Sequence, residues 1–224
     1  MNTEIARFNM IEQQIRPWEV LDAAVLSLLA TVRREDFVPP SMRALAFVDT
    51  QVPLLPGTPG GPVMLEPKVE ARLLQALAPQ RHESVLEIGT GSGFMASLLG
   101  HRAMKVLTLE CRPELAARAR EALRGAGVTN VTVREVPAAV GAGGAPQDGP
   151  FDVILLSGSV AEVPQALLQQ LKVGGRLAAI VGAAPVMRAR LYRRDSETGW
   201  SHEEVFDTLA PRLEGFPEPT RFRF

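Results

Sequence analysis

From Pro67 onward, short apolar runs alternate with helix-length amphipathic segments, and this rhythm limits the fold more than any other feature of the chain. The runs that read as strands are Ser84–Ile88, Lys105–Leu109, Val131–Arg134, Phe151–Leu156 and Arg176–Val181. Between them the spacing predicts helices. One carries Val69, Leu73 and Leu77 on a single face, one starts at Phe94, one runs from Pro113 to Arg124, and one starts at Pro164. Continuous rather than alternating apolar strands have no face left for water, so they belong in a parallel sheet covered by helices on both sides. The alanine- and glycine-rich stretch 138–145 carries no predicted element. Beyond Val181 the rhythm changes. Arg188-Ala-Arg190-Leu-Tyr192 and Glu204-Val-Phe206 follow one another with no helix between them, which predicts a hairpin-like antiparallel edge on the same sheet.

Ahead of this region, residues 3–14 read as a polar helix stopped near Arg16-Pro17, because the residue before a proline disfavours helical torsions. A second helix follows, with Asp22 near its start and Leu21, Val25, Leu28, Leu29 and Val32 as its apolar stripe. Pro39-Pro40 ends that pattern. The segment Pro56-Gly-Thr-Pro-Gly-Gly-Pro62 must be a loop, either a mobile linker or a substrate-facing one. The expected organisation is a helical extension with this loop over residues 1–66 and a sheet domain over 67–224, together forming one compact unit. No internal repeat is visible.

Composition removes several classes of function. The net charge of −1 lacks the basic excess of a nucleic-acid binder or of a protein docked on anionic lipid. Only 5% of residues are aromatic, which leaves no stacking platform for single strands. Cys111 is the single cysteine, and His82, His101 and His202 are far apart, so neither a disulfide nor metal-ligand spacing is present. No apolar run is long enough to cross a membrane, and the first residues lack the basic and apolar regions of a signal peptide. The expected location is the cytoplasm. Arg188, Arg190, Arg193 and Arg194 read as a solvated strand face rather than a phosphate patch, and Asp152 as a structural cap on an arginine or on backbone.

The strongest chemical signal is Val85-Leu-Glu87-Ile-Gly89-Thr90-Gly91-Ser92-Gly93. It falls where a strand ends and a helix begins, at the carboxyl edge of a parallel sheet, and ligands of open α/β folds bind there. Glycines allow the sharp turn and let backbone approach a ligand. The third glycine arrives one residue early for a dinucleotide fingerprint, since Phe94 occupies its place, and the phosphate-cradling Gly-Lys-Ser/Thr is absent. Glu110 ends the next strand roughly 20 residues beyond Gly89, where a carboxylate can accept the hydrogens of a ribose diol. Loop and acid together indicate a ligand containing adenosine.

These residues resemble the S-adenosylmethionine (SAM) site of class I methyltransferases. More narrowly, the chain is similar to the protein-L-isoaspartate O-methyltransferase family. The likeness is carried by Met10-Ile-Glu-Gln-Gln14-Ile15-Arg16, Arg34-Glu35, Phe37-Val38-Pro39, Ala46-Phe47 and Asp49. It continues through Val85–Phe94, Phe151-Asp152, Val163-Pro164, Gln170-Leu171-Lys172 and Gly174-Gly175-Arg176-Leu177. The resemblance implies a Rossmann-like, mostly parallel twisted sheet with an antiparallel C-terminal edge and an N-terminal helical extension. It implies SAM as methyl donor, S-adenosylhomocysteine (SAH) as product, and an isoaspartyl carboxylate of a protein or peptide as acceptor. Glu87, Gly89, Thr90, Gly91, Ser92 and Gly93 would line the amino-acid end of the cofactor, and Glu110 would hold its ribose. No catalytic residue or oligomeric state is implied.

The chain departs from the family pattern at two places. Where the family has Gly-Gln-Thr-Ile-Ser-Gln-Pro, this chain has Gly61-Pro62-Val63-Met64-Leu65-Glu66-Pro67, so Val63 and Leu65 replace a threonine and a serine beside the reacting centre. Gly60 and Gly61 offer backbone N–H groups in their stead. Where the family has Gly-Asp-Gly after the third strand, with the aspartate on the adenine amine, this chain has Val136-Pro137-Ala138. Three readings stay open: an isoaspartyl methyltransferase, a SAM-dependent methyltransferase with another acceptor, and a catalytically silent SAM-binding protein.

Overall fold

The computed structural model describes residues 2–218. In chain order the helices are α1 (Thr3–Met10), α2 (Ala23–Thr31), α3 (Pro67–Leu77), α4 (Phe94–Arg102), α5 (Pro113–Gly125), α6 (Ala138–Ala142) and α7 (Gln165–Leu168). The strands are β1 (Val52–Pro53), β2 (Val63–Met64), β3 (Ser84–Ile88), β4 (Lys105–Glu110), β5 (Val131–Glu135), β6 (Phe151–Val160), β7 (Leu171–Ala183), β8 (Val186–Arg194) and β9 (Trp200–Asp207). β3 to β9 form one seven-stranded sheet in the order β5-β4-β3-β6-β7-β8-β9. The pairings among β5, β4, β3, β6 and β7 are parallel, and β8 and β9 add antiparallel at one edge. The chain therefore reverses its direction of travel across the sheet between β3 and β6, which opens a crevice at their carboxyl ends.

Successive side chains of a strand point to opposite faces, and the two apolar layers obey that rule residue by residue. Val85, Val106, Val153 and Leu155 pack on one face with Leu73, Leu98 and Leu115. Leu86, Leu107, Ile154 and Leu156 pack on the other with Ala142, Leu167 and Leu168. The first layer also contains Met10, Ile15, Leu29 and Phe37, so the N-terminal 66 residues share a core with the sheet.

Several boundaries differ from the sequence reading. The first helix continues past Met10 through a wide π-type turn (Ile11–Ile15) and a 3-10 turn (Arg16–Trp18), because Pro17 serves as an early helical residue instead of a stop. Leu21 is 70% exposed and precedes α2, and Asp22 caps that helix by accepting from the Ala24 and Val25 N–H groups at 2.7 and 3.1 Å. The stretch after β5, read as featureless, contains α6 with Gly141 and Ala142 buried. Asp152 caps backbone and pairs with lysine rather than arginine. It accepts from the Ser84 N–H and hydroxyl, each at 2.8 Å, and from Lys172. Arg188, Arg190 and Arg193 face solvent in pairs with Glu204, Asp207 and Glu203, whereas Arg194 stacks on Trp200 and donates to the Leu171 carbonyl at 2.6 Å.

A buried ion pair joins the N-terminal region to the sheet domain. Arg34 is 1% exposed, donates to the carbonyls of Ala46 (2.9 Å) and Leu65 (2.6 Å), pairs with Glu70 on α3, and stacks over the Phe94 ring at 5.0 Å. It thereby ties the N-terminal region to α3, α4 and the strand end that enters the site. No described helix is long and apolar enough to cross a membrane, and the described residues contain no cluster able to hold a metal ion.

Candidate active site

The turn after β3 is built from Gly89, Gly91 and Gly93, with φ of +93°, +53° and +83°. Those torsions alone favour glycine. Close packing adds a second demand: a Cβ on Gly89 would lie 2.7 Å from Leu213, and one on Gly93 would lie 3.1 Å from Ala119 of α5. The Gly89 N–H donates to the Leu109 carbonyl at 2.9 Å and the Gly93 N–H to that of Thr90 at 2.8 Å, which holds the turn against the end of β4.

Beneath the turn lies a polar layer. Glu87 has no exposed surface, and its carboxylate accepts from the hydroxyls of Thr108 and Ser157, both at 2.7 Å. Thr90 and Thr108 hydroxyls meet at 2.6 Å. Burial pushes the Glu87 carboxyl up to about 7; the two hydroxyls oppose this rise and the nearby Glu70 and Glu110 charges reinforce it. The folded protein therefore holds a proton on Glu87 that the unfolded chain releases near pH 4.5. Stability contributed by that proton is fully present below pH 4.5 and is lost as the pH rises towards 7. Glu87→Gln, which cannot ionise, is expected to flatten the fall in urea midpoint between those pH values. An unchanged slope would show that Glu87 does not titrate there.

Glu110, 5% exposed, closes the turn from the side. Its Oε2 accepts from the Gly91 N–H at 2.8 Å, and its Oε1 from the N–H groups of Cys111 and Arg112 at 3.0 Å. Three of the roughly four lone-pair sites of a carboxylate are then taken. The group is fixed in orientation and keeps one site on Oε2 for a ligand hydroxyl.

Above these residues lies a cavity of about 350 Å³, within the range of small-molecule sites. Gly89, Gly91 and Glu110 form its floor, and Val136, Ala138 and Gly141 line the end nearest β5. Ser157, Gly158 and Arg212 line the end nearest β6, and Gly60, Gly61, Pro62, Val63 and Leu65 complete the wall. The proline- and glycine-rich segment is thus a site-facing loop. It is held between β1 and β2, which pair antiparallel through Val52–Met64 and Pro53–Val63.

The structure divides the seven sequence-derived residues. Gly89, Gly91 and Glu110 line the cavity itself. Glu87, Thr90 and Ser92 border a smaller adjoining void of about 20 Å³ between the turn and Met64-Leu65. Gly93 touches neither and packs on α5. Ser92 accepts from the Phe94 N–H at 3.2 Å, at the start of α4. Val63 and Leu65 both face the cavity, whereas Glu66 lies outside its lining and accepts from Gln51 at 3.3 Å. The Gly61 N–H is already engaged by the Thr58 carbonyl at 3.0 Å, so this backbone donor does not replace the lost hydroxyls.

The sequence reading missed Ser157 and the segment Pro211–Glu214. That segment returns from β9 to lie across the end of β6, with Arg112 paired to Glu214 at 2.6 Å. Only Pro211, after the last alternating stretch, signals that the chain leaves the sheet there. Cys111 also lines the cavity. Burial, aided by Glu110 and Glu214, pushes its thiol up to about 11, so it stays protonated at neutral pH.

Residues 6–208 match the model of the family described as protein-L-isoaspartate(D-aspartate) O-methyltransferase (PCMT). The chain belongs to the PCMT family. Among its relatives, the protein-L-isoaspartate O-methyltransferase of Methanoculleus marisnigri is 39% identical over 176 residues, covering 79% of this chain and 77% of the relative. The protein of the same name from Myxococcus xanthus is 42% identical over 163 residues, covering 73% and 74%. A Plasmodium falciparum structure assigned to PCMT, in complex with SAH, superposes with a TM-score of 0.76 over 96% of this chain and 99% of that one. At 18% identity it shows the shared fold.

Proposed function

We propose that this PCMT member is a SAM-dependent O-methyltransferase that methylates the carboxylate of isoaspartyl residues in proteins or peptides. The observation that carries this reading is the cavity floor, where positive-φ glycine backbone adjoins an oriented carboxylate at the switch point of the sheet. The residues fit an adenosyl ligand: Glu110 keeps an acceptor site for a ribose hydroxyl, Val136 and Ala138 give an apolar slot, and Gly89 and Gly91 leave backbone bare. When bound, SAM supplies a methyl group already activated on a sulfonium.

The chain's own part is positioning. An acceptor carboxylate is ionised at neutral pH, so its attack needs no general base. Holding two reactants in line is worth on the order of 7–11 kcal/mol. Gly60, Gly61 and Pro62 with Val63 and Leu65 form one wall of the cavity. Those two side chains also favour a second reading, an acceptor with an apolar neighbourhood, since neither donates a hydrogen bond. The shared core supports treating 1–66 and 67–224 as one unit, and the near-neutral charge supports action on protein rather than nucleic acid. The proposed location is the cytoplasm.

Glu110→Ala is expected to weaken SAM and SAH binding by about 1.5–3 kcal/mol, or roughly 10- to 150-fold, because a hydrogen bond to a charged acceptor is lost. Calorimetry measures this directly. Binding of SAM by the native protein with no change in the variant would remove Glu110 from the site. The reaction itself is tested by transfer of labelled methyl from SAM to an isoaspartyl peptide beside a panel of small carboxylic acids. Transfer to none of them would overturn the assignment.

A further inference from the structure

The cavity contains a cation to which the reading above gives no role. Arg212 lies at the β6 end, beside Ser157 and Gly158. Its backbone is pinned: the Ser159 N–H donates to the Pro211 carbonyl at 2.8 Å, and the Leu213 N–H donates to the Ser159 carbonyl at 2.9 Å. Ser159 is fully buried and its hydroxyl donates to the Ala210 carbonyl at 2.8 Å, which fixes the same segment a third time. A side chain whose backbone bridges a buried strand in this way is held where the fold puts it.

The guanidinium is only partly used. Nε donates to Glu218 at 2.6 Å, and Nη1 reaches the Ser159 hydroxyl at 3.4 Å, the outer limit of a hydrogen bond. Nη2 makes no hydrogen bond among the described residues. Glu218 is 54% exposed, so its pairing is a solvent-screened one that a better-placed anion can displace. The other cation of the cavity, Arg112, follows β4. It is held by Glu214 through two nitrogens, at 2.8 and 2.6 Å. Val63 and Leu65 offer the reacting end no donor at all.

We propose that Arg212 is a specificity-determining residue that receives the carboxylate of the methyl acceptor through its guanidinium Nη2. The inference rests on the methyltransferase reading and deepens it: the acceptor class is an anion recognised by charge, in place of the hydroxyl contacts that Val63 and Leu65 cannot make. One carboxylate oxygen rests on Nη2 and the other attacks. The new O–CH3 bond forms as the S–CH3 bond breaks, the electron pair stays on sulfur, and no proton moves. Apolar walls strengthen the contact, because an ionic hydrogen bond gains in a low local dielectric. The cofactor's own carboxylate has the same chemistry, so the experiment separates the two sources.

Fluorescence anisotropy is measured on SAH-loaded protein with a labelled isoaspartyl hexapeptide and with its methyl ester, which lacks the charge. The native protein is expected to prefer the acid by roughly 10- to 100-fold. Arg212→Gln is expected to lose that preference while binding the ester and SAH as the native protein does, and Arg212→Lys to keep part of it. An undiminished acid preference in Arg212→Gln overturns the inference. So does a fall in SAH affinity matching the fall in peptide affinity, which would place the cofactor's carboxylate on Arg212. Native protein that binds neither peptide overturns it as well. Labelled-methyl transfer by the native protein tells the failures apart. Transfer to the peptide with an unaffected variant discards Arg212 alone, and no transfer to any carboxylic acid discards the methyltransferase reading.

Discussion

Arg34→Met is expected to lower the free energy of unfolding by about 3–5 kcal/mol, the cost of stranding a buried charge by removing its partner. Glu70 is 5% exposed, and Arg34 is the guanidinium paired with it. The loss also frees the carbonyls of Ala46 and Leu65, both of which accept from Arg34. Against a total stability of roughly 5–15 kcal/mol for a domain, a change of this size threatens folding itself. Urea unfolding at pH 7 measures it. The double variant Arg34→Met, Glu70→Leu is expected to recover most of the loss, since replacing a whole buried pair by apolar groups is often close to neutral. A double variant no better than the single one would mean that the two carbonyl contacts, not the charge, hold this junction.

Val63→Thr combined with Leu65→Ser is expected to raise turnover on an isoaspartyl hexapeptide by up to about 10²–10³-fold, the range found when oriented donors beside a reacting oxygen are removed. Both side chains face the cavity, and the Gly61 N–H is engaged elsewhere. The gain carries a cost. Leu65 is 5% exposed, and shortening a buried leucine typically destabilises by about 2–5 kcal/mol, so the thermal midpoint should fall as activity rises. Steady-state kinetics at 25 °C with each variant's midpoint measured alongside separates the two effects. Native turnover already high and unmoved by the exchange would show that the hydroxyls are dispensable in this chain.

The parallel sheet was legible because its strands are apolar on both faces, as in Val85-Leu86 and Val153-Ile154, and a run of that kind has few alternatives. Glu110 was legible from its spacing behind Gly89. Glu87 drew attention through the same motif, yet it serves the floor from beneath through Thr108 and Ser157, a distinction that only three-dimensional packing reveals. α6 escaped notice because an Ala/Gly stretch has no amphipathic rhythm, although Gly141 and Ala142 are buried against the sheet. Arg212 and Leu213 escaped for a different reason. Their partners Ser159 and Gly89 are distant in sequence, and no local pattern encodes a contact between residues so far apart.

That distant contact bears on the order in which the protein is made. Every strand of the sheet precedes Pro211 in the chain, and the wall formed by Arg212, Leu213 and Glu214 is added only afterwards. On the ribosome, the glycine turn and Glu110 emerge well before the side chain that packs onto Gly89. A nascent chain can therefore assemble the sheet while its ligand pocket still lacks a side. Stabilisation by a bound ligand, which scales with its affinity for the finished site, becomes available to this chain only once Glu214 has left the ribosome.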